Sequence, residues 1–233
     1  MTTKDQIIFD ILNNARGALI ANSEPISEEI VSFWIDNTRV KLIKQDLDKR
    51  RSINPDIIQT LCVDLEVTDA TTCPCTIAEC TILRSVREIP EAIELNYKNL
   101  LISVGPVVLT APRFSFIDYH RAIYYNPNKF SNNIPAVFLY NKRLYVVAST
   151  NKFDFLSTVS VEIVLERPEE ASVFSCSGTA CYTTASKYPI SAFMLEDLKA
   201  MIMQTNIKNA ITTPSDTKTD LSHSVQSNTD QPT

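Results

Sequence analysis

The side chains best suited to metal or redox chemistry are six cysteines: Cys62, Cys73, Cys75, Cys80, Cys176 and Cys181. Cys73-Pro74-Cys75 followed by Cys80, with Cys176 and Cys181 much further along, comes nearest to a four-sulfur zinc site. Structural zinc usually takes cysteines in pairs with a short, regular gap, most often two residues. Here the gaps are one, four and four, so scattered buried or loop thiols are the favoured reading and no metal ligand is assigned. No pair has the Cys-x-x-Cys spacing of a thiol–disulfide oxidoreductase. The opening Met1-Thr2-Thr3-Lys4-Asp5 lacks the charged-then-apolar pattern of a secretory leader, so disulfides are not the default expectation.

Acid–base chemistry has little to work with. The histidines are His120 and His223, and the second lies in a polar tail. Asp118, His120 and Arg121 sit together in Phe114-Ser115-Phe116-Ile117-Asp118-Tyr119-His120-Arg121-Ala122, but no second histidine or activated nucleophile accompanies them. Their favoured reading is an anchoring or interface segment. Three glycines, Gly17, Gly105 and Gly178, are too few and too far apart to cradle a phosphate or a dinucleotide. An enzyme is therefore not expected, and neither is a cofactor.

Two groups of residues suit binding. Arg39, Lys41, Lys44, Lys49, Arg50 and Arg51, set against Asp46 and Asp48, form a basic run that can meet DNA or an acidic partner. A solvated helix end, where the dipole favours cations, explains the same run and is the preferred reading. Tyr119, Tyr124, Tyr125, Phe130, Phe138, Tyr140 and Tyr145 lie beside asparagine-rich loop sequence. They suit either a partly wet protein interface or a β core, and Tyr119, Arg121, Tyr124 and Tyr125 are the interface candidates.

Helices at both ends must position these groups. Thr3 and Gln6 have capping-box spacing, and Ile8, Leu12, Ala15 and Leu19, widened by Ile7 and Ile11, predict a helix over 3–20. A break at Asn22-Ser23-Glu24-Pro25 precedes a second helix from Ser27, its N-cap, to near Arg51, stopped by Asn54-Pro55. A last helix begins at Ser191, with Ile190 stapling against Leu195 and Phe193, Met194, Leu198, Met201 and Ile202 on its buried side.

Between the helices the period changes to two. Leu61–Val67 and Val159–Leu165 alternate as half-buried strands, and Ala136–Tyr140 with Arg143–Ala148 reads as a hairpin turning at Asn141-Lys142. Leu100–Val104 and Val107–Thr110 are expected to be strands separated by a turn at Gly105-Pro106. The fold class is α+β: a helical base from both chain ends, an inserted, mostly antiparallel β domain and a disordered C-terminal tail. The expected divisions are a helical hairpin over 1–55, a β-rich domain over 56–188, a C-terminal helix over 189–210 and the tail over 211–233. Apolar residues make up 44% of the 233, enough for a sizeable core, and a net charge of −5 argues against a surface devoted to nucleic acid. No apolar run approaches the ~20 residues of a membrane span.

Several segments resemble virion structural proteins of crAss-like phages. They are Ser27-Glu28-Glu29-Ile30, Arg39-Val40-Lys41-Leu42-Ile43, Leu100-Leu101-Ile102-Ser103-Val104-Gly105-Pro106, Pro112-Arg113 through Ala122, Asn128-Lys129-Phe130, and Phe138 through Val147. The resemblance spans about residues 5–165. It implies a head–tail connector ring protein, similar in outline to podovirus adaptor or tail tubular proteins. Such a subunit would form a dodecameric ring, bind the portal and neighbouring connector or tail proteins, line the DNA exit channel and contact genomic DNA transiently. It would reside in the virion after synthesis in the host bacterial cytoplasm, with no membrane partner. The alternative is an intracellular binding module held by cysteine-ligated zinc.

Overall fold

The computed structural model describes residues 2–18, 26–49, 52–68, 81–96, 98–108, 111–122, 135–148 and 156–208. Helix α1 (Lys4–Ala18) opens on the expected capping box: the Thr3 N–H donates to Gln6 Oε1 at 3.2 Å, and the Gln6 N–H to Thr3 Oγ1 at 3.3 Å. Helix α2 (Glu28–Lys49) is capped by Ser27, whose Oγ accepts from the Ile30 N–H. A short 3-10 turn over Pro55–Ile57 then leads into the β region. The buried face of α1 is centred on Ile7 and Ile11, both fully enclosed, while Ile8 is only half-buried. The stripe is thus rotated by one position from the face led by Ile8.

The β region contains β1 (Gln59–Val67), β2 (Thr81–Ser85), β3 (Glu94–Leu95), β4 (Lys98–Asn99), β5 (Leu101–Pro106) and β6 (Ser115–Phe116). A short helix α3 (Tyr119–Ala122) follows, then β7 (Ala136–Tyr140), β8 (Arg143–Ala148), β9 (Thr158–Ile163), β10 (Ser175–Cys176) and β11 (Thr179–Ala180). Seven strands form one sheet in the order β5-β9-β1-β2-β8-β7-β6, antiparallel except for β6 beside β7. The β7–β8 hairpin turns at Asn141 and Lys142, both at positive φ (48° and 59°), the geometry of a two-residue hairpin turn.

The two sheet edges meet. The Phe114 N–H donates to Val104 O on β5 at 2.8 Å, and the next residue, Ser115, donates to Pro135 O beside β7 at 3.0 Å. Consecutive residues thus bond to opposite edges, so the sheet curls on itself. Inside lie Leu61, Val63, Leu83, Val137, Leu144, Val146, Val159 and Val161, alternate residues of their strands. Residues one step out of phase, Ile82, Phe138, Tyr145 and Val147, form a second cluster with Ala122 of α3.

Around Gly105-Pro106 the expectation fails: β5 runs through both residues, which pair with Ser160 and Val159, and no turn separates two strands. Val107 and Val108 lie outside any strand and are exposed, while 109–110 fall outside the described residues. Gly105 is needed for close approach, because a Cβ there would come within 2.8 Å of Arg113 Cδ.

Helix α4 (Ala192–Met201) continues into a wider π-type turn over Ile202–Ile207. Ser191 has the extended backbone of an N-cap, yet its hydroxyl is buried without a partner instead of capping the helix. Helices α1, α2 and α4 share one core, in which Ile35, Ile43 and Leu198 are joined by Ile93, Leu100 and Val164 from the β region. The expected α+β class, with helices from both ends and a mostly antiparallel sheet between, is what the structure has. The C-terminal tail lies outside the described residues. Among the described residues no helix is long and apolar enough to cross a membrane.

Candidate functional site

The basic run does not form one surface. Arg39 is fully enclosed, with its guanidinium donating Nε–H to Pro189 O and an Nη1–H to Leu165 O, each at 2.7 Å. Its position explains why: Val31, Ile35 and Arg39 recur at four-residue steps on the buried side of α2, ahead of Leu42 and Ile43. Burial pulls this guanidinium below its ordinary pKa, against the opposing pull of Tyr188 and Asp36. Arg39 is thus a tie within the core and not a surface contact for DNA or a partner. Lys41 and Lys49 are exposed and Lys44 is half-buried, whereas Arg50 and Arg51 fall outside the described residues.

A polar node surrounds the tie. Lys4, 3% exposed, pairs with Asp36 at 2.9 Å and Glu169 at 2.7 Å. The Tyr188 hydroxyl donates to the other Asp36 oxygen at 2.8 Å, and burial pushes that phenol well above its usual pKa. Tyr182, buried with its hydroxyl unpartnered, is pushed up to about 12 by burial.

The aromatic cluster is real where it is described. Tyr119 of α3 stacks on Tyr140 with ring centroids 4.3 Å apart, and Phe138 stacks on Tyr145 at 5.1 Å. The cluster coats the outer side of β7 and β8, with Tyr119 and Tyr140 half-buried. Beside it runs a groove of about 940 Å³, lined among others by Ile89, Glu91, Leu101, Phe116, Tyr119 and Lys142. The far wall is a segment the sequence reading did not assign, pinned by the Ile89 N–H bond to Lys142 O and by the Lys142–Glu91 pair, both 2.7 Å. Arg121 also lines the groove; Tyr124, Tyr125 and Phe130 lie outside the described residues. His120 is exposed and edge-on to Tyr119, and the neighbouring Asp118 and Arg121 make only an exposed 4.0 Å pair.

The cysteines depart furthest from expectation. Cys62 of β1 and Cys176 of β10 are joined by a disulfide with a Cα–Cα separation of 5.2 Å, 114 residues apart in sequence. Spacing along the chain carries no signal for such a pair, because the fold alone brings β10 over the outer face of β1. Cys181 Sγ lies 3.2 Å from Cys176 Sγ, and all three sulfurs fall within 4.8 Å of one another. The one local clue is that Cys176 and Cys181 flank the tight turn at Ser177-Gly178, both at positive φ. Cys73, Cys75 and Cys80 lie outside the described residues.

No curated protein matches this sequence. The sequence family described as phage tail ring protein 2 matches residues 6–229, almost the whole chain, including most of α1, the curled sheet and α4. The chain belongs to the phage tail ring protein 2 family, a family of structural virion proteins.

Proposed function

We propose that this chain is a non-enzymatic subunit of a closed ring in the head–tail connector of a short-tailed phage, stacked below the portal and lining the channel through which DNA leaves. The observation that carries the reading is the ring-protein family match over residues 6–229. A ring closes when each copy presents two different surfaces, one to each neighbour. Among the described residues, two groups of exposed apolar side chains are candidates for these surfaces. One is on the helical base, where Phe9, Ile30 and Phe33 are 63%, 47% and 56% exposed. The other is the aromatic groove of the curled sheet, with Tyr119 and Arg121 at its wall. The ring is assigned as dodecameric, with the portal and adjoining connector or tail proteins as axial partners. Lys41, Lys44 and Lys49, followed by Arg50 and Arg51, are assigned to an acidic partner or to transient contact with genomic DNA. Synthesis takes place in the host bacterial cytoplasm.

Quantitative mass spectrometry of purified virions tests this reading. The expected result is one dodecamer's worth of chains for each portal, and a density map of the portal–tail region then places the ring on the channel axis. Absence from virions overturns the structural role, and a map with the chain away from the axis overturns the channel assignment.

A further inference from the structure

We propose that Cys62, Cys176 and Cys181 together bind one Zn²⁺ ion in the reduced protein, and that the Cys62–Cys176 disulfide is the oxidised, metal-free form of the same site. A staple between β1 and β10 needs two sulfurs, yet three converge here. In the hairpin register Cys176 pairs with Thr179, and the Cys181 N–H donates to Phe174 O at 2.8 Å. Cys176 and Cys181 are therefore diagonal neighbours on one face of the hairpin. Diagonal positions lie roughly 7–8 Å apart at Cα, beyond the usual reach of a disulfide and suited to a bridge through a metal. Their four-residue gap also falls within the spacing zinc uses.

The third ligand comes from beneath. Cys62 alternates with inward-facing Leu61 and Val63, so it points to the outer face of the sheet, where the hairpin leaves it 7% exposed. Zinc–sulfur bonds of about 2.3 Å at tetrahedral angles put sulfurs about 3.8 Å apart. Cys176 and Cys181 Sγ, at 3.2 Å, need to part by about 0.6 Å to meet that spacing, and reduction of the disulfide frees Cys62 Sγ to part from Cys176 Sγ. Cys176 and Cys181 are half-buried and still reach solvent, which admits a water as fourth ligand. Soft thiolates select zinc over magnesium or calcium.

Binding replaces three thiol protons with one Zn²⁺, and the protons pass to solvent. Oxidation removes two of the ligands: the Cys62 and Cys176 thiolates join as a disulfide, and the two electrons they give up, with two protons from solvent, reduce an external disulfide to a dithiol. The ion leaves because Cys181 alone cannot hold it.

The test uses the full chain, reduced, stripped with a chelator and titrated anaerobically with Co²⁺ and then Zn²⁺. One equivalent of Co²⁺ should give a thiolate-to-cobalt absorption band that Zn²⁺ bleaches. Cys181→Ser should weaken Zn²⁺ binding by at least about tenfold while far-UV circular dichroism stays unchanged. Cys62→Ser should do the same, and Cys181→Ser covers the case in which Cys62→Ser fails to fold. A Cys73→Ser/Cys75→Ser/Cys80→Ser variant should still bind. Failure of the reduced chain to bind metal, binding that survives Cys181→Ser, or binding lost in the triple variant each overturns the assignment.

Discussion

Arg39 of α2 donates its Nε–H to the carbonyl oxygen of Pro189 across 2.7 Å, joining the second helix to the segment that leads into the last one. Its Nη1 reaches Leu165 O at the same distance, just past β9, and its guanidinium lies 5.7 Å from the Tyr188 ring centroid. One buried cation thus ties α2 to the segment just after β9 and to the segment that leads into α4.

The first prediction concerns that cation. Arg39→Ala leaves two carbonyls without donors and opens a cavity, and should cost about 3–5 kcal/mol of stability. Arg39→Met refills the volume and removes a charge that has one unpartnered Nη2, so it should cost less. Urea denaturation of the two variants measures both. A loss under about 1 kcal/mol for Arg39→Ala would mean that the tie contributes little.

Alkaline pH should act on two of the buried tyrosines, Tyr182 and Tyr188. Tyr182 and Tyr188 both have folded pKa values above the ordinary 10, in each case mainly through burial. A raised folded pKa means that the contribution is whole below pH 10. It is lost as the unfolded chain ionises first, through about 12 for Tyr182. Melting temperature should therefore fall steeply over that window, and less so in Tyr182→Phe. At pH 7 Tyr182→Phe removes an unpartnered hydroxyl and should be neutral or stabilising, whereas Tyr188→Phe loses the bond to Asp36 and should cost about 1–2 kcal/mol. Equal losses at pH 7 would contradict this account.

Local rules carried much of the fold. Thr3, Gln6 and Ser27 cap where their side chains predict, and Asn141-Lys142 turns the hairpin between Ala136–Tyr140 and Arg143–Ala148 as its residue types predict. Ser191 misleads, because burial among packed elements decided the fate of its hydroxyl. Arg39 carries a charge that suggests a surface, yet its four-residue spacing from Ile35 puts it on the buried stripe, and the periodicity prevails. The closure of β5 towards β6, the groove wall at Ile89–Glu91 and the three-sulfur cluster join residues far apart in sequence. Apart from the turn that brings Cys176 and Cys181 together, no short-range pattern encodes them.

Gly105 makes a third prediction. Alanine there would meet Arg113 Cδ at 2.8 Å and push aside a side chain that pairs with Glu162 at 3.0 Å. Because Cδ lies on a flexible side chain, Gly105→Ala should cost only about 1 kcal/mol, and Gly105→Val more. Thermal melts of the two variants give the order. Removing the obstruction with Arg113→Ala should make Gly105→Ala nearly neutral in a double-mutant cycle; additivity would show that the close approach is not the cause.

Assembly supplies the fourth prediction, because the groove beside Tyr119 is assigned to a neighbouring subunit. Arg121 is suited to the test: its side chain is 82% exposed, and its contact with Asp118 at 4.0 Å contributes little. Arg121→Glu should leave monomer stability within about 0.5 kcal/mol of the parent, since surface changes away from buried features usually do. At a subunit boundary the reversed charge faces groups arranged for the opposite sign, which costs several kcal/mol for each contact, and a ring repeats that cost at every boundary. Incorporation into virions should therefore fall at least about tenfold, read as the ratio of this chain to portal protein after complementation of a phage lacking it. Tyr119→Ser should reduce incorporation in the same direction, with a measurable loss of monomer stability from the broken stack on Tyr140. Normal incorporation of both variants would remove this groove from the ring contact and leave the helical-base surface of Phe9, Ile30 and Phe33 to be tested by the same ratio.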